Sequence, residues 1–179
     1  HKEYRRQRQM CIRDRFPYVA AGDNANQYAT AANTPTIVQW DTLYAGNGFT
    51  LNSDNTATAQ YTGTYKITYS LQFANSDNAA HDNIVWLRIN GSDVANSTTI
   101  FTTQARKSAG VYTYLCGYSE VVFTLNAGDK VGLWWGTDLA ATSGGALGTW
   151  IYYRAAQTVP MAYPATPSAI GSITFVSAA

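Results

Sequence analysis

The sequence predicts an all-β domain of antiparallel strands, arranged as a sandwich or a barrel. Three observations lead to this prediction: apolar residues alternate with polar ones along several segments, turn-forming residues separate those segments at short intervals, and no segment has the periodicity of an amphipathic helix. The 179 residues are enough for one well-buried domain. Charged and aromatic residues each make up 13% of the chain, a composition that excludes disorder for most of its length.

The clearest strand signal lies at residues 64–73, TYKITYSLQF, where every second residue is large and apolar. A period of two predicts a half-buried strand of an antiparallel sheet. Segment 84–89 ends at Asn90-Gly91, a pair that favours a tight type I′ turn. Segments 119–125 and 130–135 predict a hairpin. We interpret the small and polar segment 16–35 as an extended arm or linker. The remaining strands are predicted at 36–44, 57–62, 97–103, 111–116, 148–154 and 169–177.

Residues 1–15 form a basic tail whose composition differs from the rest of the chain. They hold six of the twelve Lys and Arg residues and two of the eleven acids, so the body carries six bases and nine acids, a net charge of −3. The tail resembles translated sequencing-adapter sequence; a genuine disordered arm and a nucleic-acid contact are the alternatives. The body has no basic patch and no apolar run long enough to span a membrane, so we expect neither nucleic acid nor membrane as a partner.

Three motifs, taken in order, resemble those of C1q/TNF-like jelly-roll domains. A G-x-Y entry to a core strand lies at Gly63 and Tyr65, a mid-chain strand ends at Asn90-Gly91, and an L-x-x-G-D-x-V pattern begins at Leu125. The resemblance covers about residues 36–179. It implies an antiparallel β-sandwich of jelly-roll topology that assembles as a homotrimer. The C-terminal PATPSAIGSITFVSAA is similar to the endings of small virion proteins of environmental bacteriophages.

The chain holds more bulky aromatic residues than one small sandwich core requires. Several of them lie next to an apolar residue that would occupy the opposite face of the same strand, and a strand that is apolar on both faces is buried on both. Burial within one subunit is the alternative to burial between subunits. The candidates for the oligomer interface are Tyr112, Tyr114, Trp134, Trp150 and Tyr152.

Few residues of the body are suited to catalysis or to cofactor binding. His81 is its only histidine, and no G-x-S-x-G motif is present. We therefore expect no enzymatic activity and no cofactor. Asp77 and Asp82 lie in one oxygen-rich loop and are weak candidate ligands for Ca²⁺, because EF-hand spacing is lacking. Cys116 ends the apolar segment VYTYLC, which predicts a buried thiol.

These observations favour a non-enzymatic virion structural protein, either a capsid decoration or a receptor-binding module of a tail fibre. We expect it in the extracellular particle, with other virion proteins and a host surface glycan or receptor as partners. A secreted bacterial carbohydrate-binding or adhesion module is the alternative, and a polysaccharide depolymerase is a third possibility. Exposed loops near 75–83, 104–110 and 138–148 would form the binding surface. Candidate ligand contacts there are Asp77, His81, Asp82, Arg106 and Lys107.

Overall fold

A computed structural model describes residues 16–178, which form thirteen β-strands. The predicted basic tail, residues 1–15, lies outside the described residues. In chain order the strands are β1 (Tyr18–Asp23), β2 (Thr36–Ile37), β3 (Thr42–Asn47), β4 (Phe49–Leu51), β5 (Ala57–Ala59), β6 (Gly63–Asn75), β7 (His81–Ile89), β8 (Ser92–Asp93), β9 (Thr99–Thr103), β10 (Thr113–Leu125), β11 (Lys130–Thr137), β12 (Thr149–Ile151) and β13 (Ala169–Ser177).

The strands form two antiparallel sheets that pack face to face, as the sequence predicts. The six-stranded sheet has the order β10-β6-β13-β1-β3, and β12 also pairs with β6. The seven-stranded sheet has the order β4-β5-β11-β7-β8, with β2 paired to β11 and β9 paired to β7. Within the described part of the chain, no helix has the length and apolarity needed to cross a membrane.

Strand β6 is central to the six-stranded sheet and to the core. It pairs with β10 along one edge and with β13 and β12 along the other. Its alternate side chains point inward and are buried, as the period of two predicts. The ring of Phe73 lies 5.9 Å from that of Phe101 and 6.2 Å from that of Trp135 on the facing sheet. The inward residues of β6 are Tyr65, Ile67, Tyr69, Leu71 and Phe73.

The interpretation of 16–35 as an arm is wrong, because residues 18–23 form a strand inside the six-stranded sheet. This strand, β1, lies between β13 and β3, and its Val19 and Ala21 side chains are buried. The error has a physical cause: the segment YVAAGD has mostly small side chains, so its alternation is weak in sequence. Backbone pairing on both edges, rather than a strong apolar pattern, holds β1 in the sheet.

Two predicted strands, 111–116 and 119–125, are parts of one continuous strand, β10. They join through Gly117, where a Cβ atom would lie 2.9 Å from the ring of Phe73 and 3.1 Å from that of Phe101. The prediction of a buried Cys116 is also wrong. Leu115 takes the inward position, so Cys116 is exposed on the outward face, with its Sγ 3.1 Å from Ser70 Oγ.

The predicted hairpin of 119–125 and 130–135 is wrong, because β10 and β11 lie in different sheets and do not pair. The other strand predictions differ mainly at the strand ends. The predicted strand 169–177 matches β13, whereas 84–89 and 130–135 extend to His81–Ile89 and Lys130–Thr137. Predicted strand 36–44 divides into β2 and β3, because the chain crosses from the seven-stranded sheet to the six-stranded sheet between them. Segments 57–62, 97–103 and 148–154 shorten to Ala57–Ala59, Thr99–Thr103 and Thr149–Ile151.

Replacing Phe73 by alanine should lower the free energy of unfolding by about 3–5 kcal/mol, because it leaves a cavity between the two sheets. A matched control is Ile100→Ala, which truncates an exposed apolar side chain and should change that free energy by about 0.5 kcal/mol or less. Urea unfolding followed by circular dichroism measures both. Similar losses in the two variants would contradict the assignment of the inward face of β6.

Candidate functional site

The outward face of the six-stranded sheet carries large apolar side chains that are exposed. Their outward position follows from the register. The members on β10 and β13 pair with outward residues of β6, and Tyr18 pairs with Thr174, which itself pairs with Lys66 of β6. Tyr44 reaches the same face, where its ring covers Gly22. Exposed apolar patches of this kind mark interaction surfaces. We call this set the apolar face; its members are Tyr18, Tyr44, Tyr114, Tyr118, Val122 and Ile170.

An aromatic cluster lies on the same side of the sheet, at one end of β10. Trp150 and Tyr114 are both opposite Ala74 in the register, which places them together on the outward side. The ring of Tyr112 lies 5.0 Å from that of Trp150, and the ring of Tyr114 lies 5.0 Å from that of Tyr152. Burial and the hydrogen bond with Tyr152 raise the pKa of Tyr114 to about 12, so its hydroxyl stays neutral at physiological pH.

The structure therefore brings together four of the five residues predicted at an oligomer interface. Tyr112, Tyr114, Trp150 and Tyr152 form the aromatic cluster, although Trp150 is already buried within the subunit. Trp134 lies apart from them, on the outer side of the seven-stranded sheet, where the guanidinium of Arg88 is 4.2 Å from its ring centre. The sequence does not predict this division. Neighbouring side chains on a strand point to opposite faces of a sheet, but the sequence does not show which of the two sheets contains the strand.

At the same end of the sandwich, His81 joins two loops through its imidazole ring. Its Nε2 lies 3.0 Å from Asp77 Oδ2, and its Nδ1 lies 3.2 Å from both carboxylate oxygens of Asp138. Asp77 belongs to the β6–β7 loop, and Asp138 directly follows β11. We call these three residues the His81 clip. Only 11% of the His81 side chain is exposed.

The His81 clip shifts the pKa values of His81 and Asp77. Burial lowers the pKa of His81, but the hydrogen bonds to Asp77 and Asp138 outweigh that effect, so the pKa lies above its usual 6.5. The hydrogen bond from His81 holds the pKa of Asp77 below its usual 3.8. A doubly protonated imidazole donates to both carboxylates, whereas the neutral ring has only one N–H to donate. The clip is thus complete only when His81 is charged.

The other predicted ligand contacts lie near the His81 clip, where Asp82 and Arg106 form hydrogen bonds with neighbouring segments. Asp82 Oδ1 accepts a hydrogen bond of 2.6 Å from Thr102, and its backbone N–H donates to Asp138. Arg106 is half-buried and donates from Nη1 to the carbonyl of Ser76. Lys107 is exposed in the β9–β10 loop.

The predicted Ca²⁺ ligands do not gather into a cluster. Asp77 faces His81, whereas Asp82 faces Thr102 on the neighbouring strand. Among residues 16–178, no three His, Cys, Asp or Glu side chains come together in a way that could hold a metal ion. The two nitrogens of His81 point in opposite directions, so Asp77 and Asp138 cannot share one ion with the ring.

The His81 clip predicts that the thermal stability of the fold falls as the pH rises. Because the pKa of His81 is raised in the folded protein, the charged ring stabilises the fold fully below about pH 6.5. This stabilisation is lost as the pH rises through the folded-state pKa of His81. We expect the Tm to drop by about 2 °C between about pH 6 and pH 8.5. His81→Gln should remove this part of the pH dependence. An unchanged slope in the His81→Gln protein, measured by differential scanning calorimetry, would contradict the role of the clip.

Comparison with known proteins identifies the fold. No protein-family model matches the sequence, and no curated protein matches it either. Among solved structures, the chain is similar to Eiger TNF from S. frugiperda, with a TM-score of 0.54 and 12% sequence identity. The match covers 92% of this chain and 94% of the other. The two antiparallel sheets of this chain therefore form a jelly-roll sandwich of the TNF-like fold.

Proposed function

We propose that this chain is a non-enzymatic structural module that assembles as a homotrimer through the outward side of its six-stranded sheet. The observation that carries the proposal is the apolar face together with the aromatic cluster beside it. Four strands of one sheet contribute to the apolar face, so its members are spread across the width of that sheet. Removing such a surface from water is favourable at about 25 cal/mol per Å².

The rest of that surface suits a subunit contact. Between the apolar residues lie small hydroxyl side chains, such as Thr68 and Ser172, whose oxygens are 2.8 Å apart. One ion pair, between Lys66 and Glu120, lies on this face among the described residues, and its atoms are 3.5 Å apart. Low charge reduces the cost of desolvation when two such surfaces meet. Three copies, rather than two, are what the resemblance to C1q/TNF-like domains implies.

The chemistry of the described residues supports a role without catalysis. His81, the body's only histidine, has a carboxylate at each ring nitrogen. Neither nitrogen is therefore available to activate a hydroxyl or thiol nucleophile. Cys116 is exposed, but the polar atom beside it is the hydroxyl of Ser70 rather than a base.

We further propose that the module is a component of an extracellular virus particle. The supporting features are the low charge and the C-terminal resemblance to small bacteriophage virion proteins. Mass spectrometry of particles purified from the source sample is the test. Stoichiometric recovery of this chain with capsid or tail proteins would support the proposal. Recovery only in the soluble secreted fraction would favour the adhesion module instead.

A charge placed on the apolar face should dissociate the trimer. Tyr118→Arg puts a cation at an exposed position of that face on β10, and we expect at least a tenfold weaker association, about 1.4 kcal/mol. Ile100→Arg is the matched control, because Ile100 and Tyr118 are both 60% exposed but lie on opposite sheets. Size-exclusion chromatography with multi-angle light scattering, over a range of concentrations, measures the effect.

Three outcomes of this experiment are informative. A trimeric wild type with a dissociated Tyr118→Arg variant and a trimeric Ile100→Arg variant supports the proposal. A monomeric wild type at micromolar concentration contradicts it. Dissociation by Ile100→Arg alone would place the interface on the seven-stranded sheet. Circular dichroism of both variants verifies that each is folded.

A further inference from the structure

The outer side of the seven-stranded sheet contains a groove of about 340 Å³ that is separate from the apolar face. Its floor is the β7–β11 pair, where Ile84 lies opposite Gly136. One wall is the segment 33–35, held to the sheet by the bond from the Asn33 N–H to the Thr137 carbonyl. The other wall comprises residues around Val94 and Thr98. Its volume is within the range of small-molecule sites.

Trp86 lines this groove, and its neighbours hold its indole ring in place. The indole Nε1 donates a 2.6 Å hydrogen bond to Asp93 Oδ1, which also accepts a 2.6 Å bond from Arg88 Nε. The guanidinium carbon of Arg88 lies 5.6 Å from the Trp86 ring centre. Arg88 does not line the groove, whereas Ile84 does. The groove therefore reaches the indole from the side of Ile84, and Arg88 supports it from the other direction.

The groove combines this aromatic surface with polar groups that have no partner in the described residues. Asp93 uses one carboxylate oxygen for Trp86 and Arg88, and Oδ2 accepts no hydrogen bond from residues 16–178. The side chains of Asn33 and Thr98 likewise form no hydrogen bond within the described part of the chain. The hydrogen bonds from Arg88 and Trp86 lower the pKa of Asp93, so the carboxylate is an ionised acceptor at neutral pH.

We infer that the groove binds a neutral sugar, with one pyranose face on Trp86 and hydroxyl groups on Asp93, Asn33 and Thr98. The C–H bonds on a pyranose face are weakly positive, and they meet the negative face of an aromatic ring favourably. Sugar hydroxyls both donate and accept, as these three side chains require. Among the described residues, no lysine or arginine lines the groove, and the Arg88 guanidinium is paired with Asp93. An anionic ligand therefore has no charge partner there.

This inference goes beyond the proposed assembly and does not depend on it, because the groove and the apolar face are on opposite sheets. The probes are glucose, galactose, mannose and N-acetylglucosamine, with N-acetylneuraminic acid as the anionic comparison. Saturation-transfer NMR detects binding through the signals of the sugar. A shift of the Trp86 indole N–H resonance in ¹⁵N-labelled protein shows that the sugar binds in the groove. We expect at least one neutral sugar to bind with a Kd of about 1 mM.

Three variants locate the site. Trp86→Ala removes the stacking surface, and Thr98→Arg blocks the groove from an exposed position that tolerates substitution. Each should weaken binding at least about tenfold. Trp134→Ala is the matched control, because Trp134 is an indole on the same side of the sheet that does not line the groove. It should bind the sugar as the wild type does.

The inference is overturned if no neutral sugar binds, if Thr98→Arg binds as well as the wild type, or if the anionic sugar binds best. Light scattering of the wild-type sample used for the sugar measurements separates this result from the assembly proposal. A trimer that binds no sugar rejects the groove alone. A monomer that binds sugar through Trp86 rejects the assembly alone.

Discussion

The two-sided pairing of β6 is the constraint on which the rest of the structure depends. Because β6 pairs with β10 on one edge and with β13 and β12 on the other, its alternation sets the inward or outward position of each partner residue. Tyr69 and Phe73 enter the core, while Ser70 and Ala74 lie outward beside Tyr118 and Tyr114. A slip of one residue would exchange the core with the apolar face.

A buried polar network extends this constraint to the N-terminal part of the sheet. Asp23, at the end of β1, is 2% exposed, and its Oδ2 accepts hydrogen bonds from Gln27 at 2.8 Å and Ser168 at 2.9 Å. Gln27 also bonds in both directions with the backbone of Gln39. A buried carboxylate is tolerated only when such partners satisfy it. The network joins β1, the segment before β3 and the start of β13.

The two outward sides of the sandwich differ in chemistry, and the proposed roles follow that difference. The six-stranded sheet presents tyrosines and aliphatic side chains with little charge, which suits contact with further copies. The seven-stranded sheet presents Trp86, fixed by Asp93 and Arg88, beside a groove with unused polar groups. Assembly through the first sheet would leave the groove of each subunit open. The His81 clip ties the loops at one end of both sheets.

By itself, the sequence determined an all-β fold of antiparallel strands and the core of its strongest strands, because a period of two is a local property of side chains. It also identified Tyr112, Tyr114, Trp150 and Tyr152 as candidates for burial between subunits. Only the tertiary structure decided that β1 belongs to the sheet and that Trp134 lies on the opposite side. Likewise, the sequence does not show that His81 meets Asp138, or that Trp86 borders a groove. Those facts depend on register and on contacts between distant segments, which alternation along one strand does not encode.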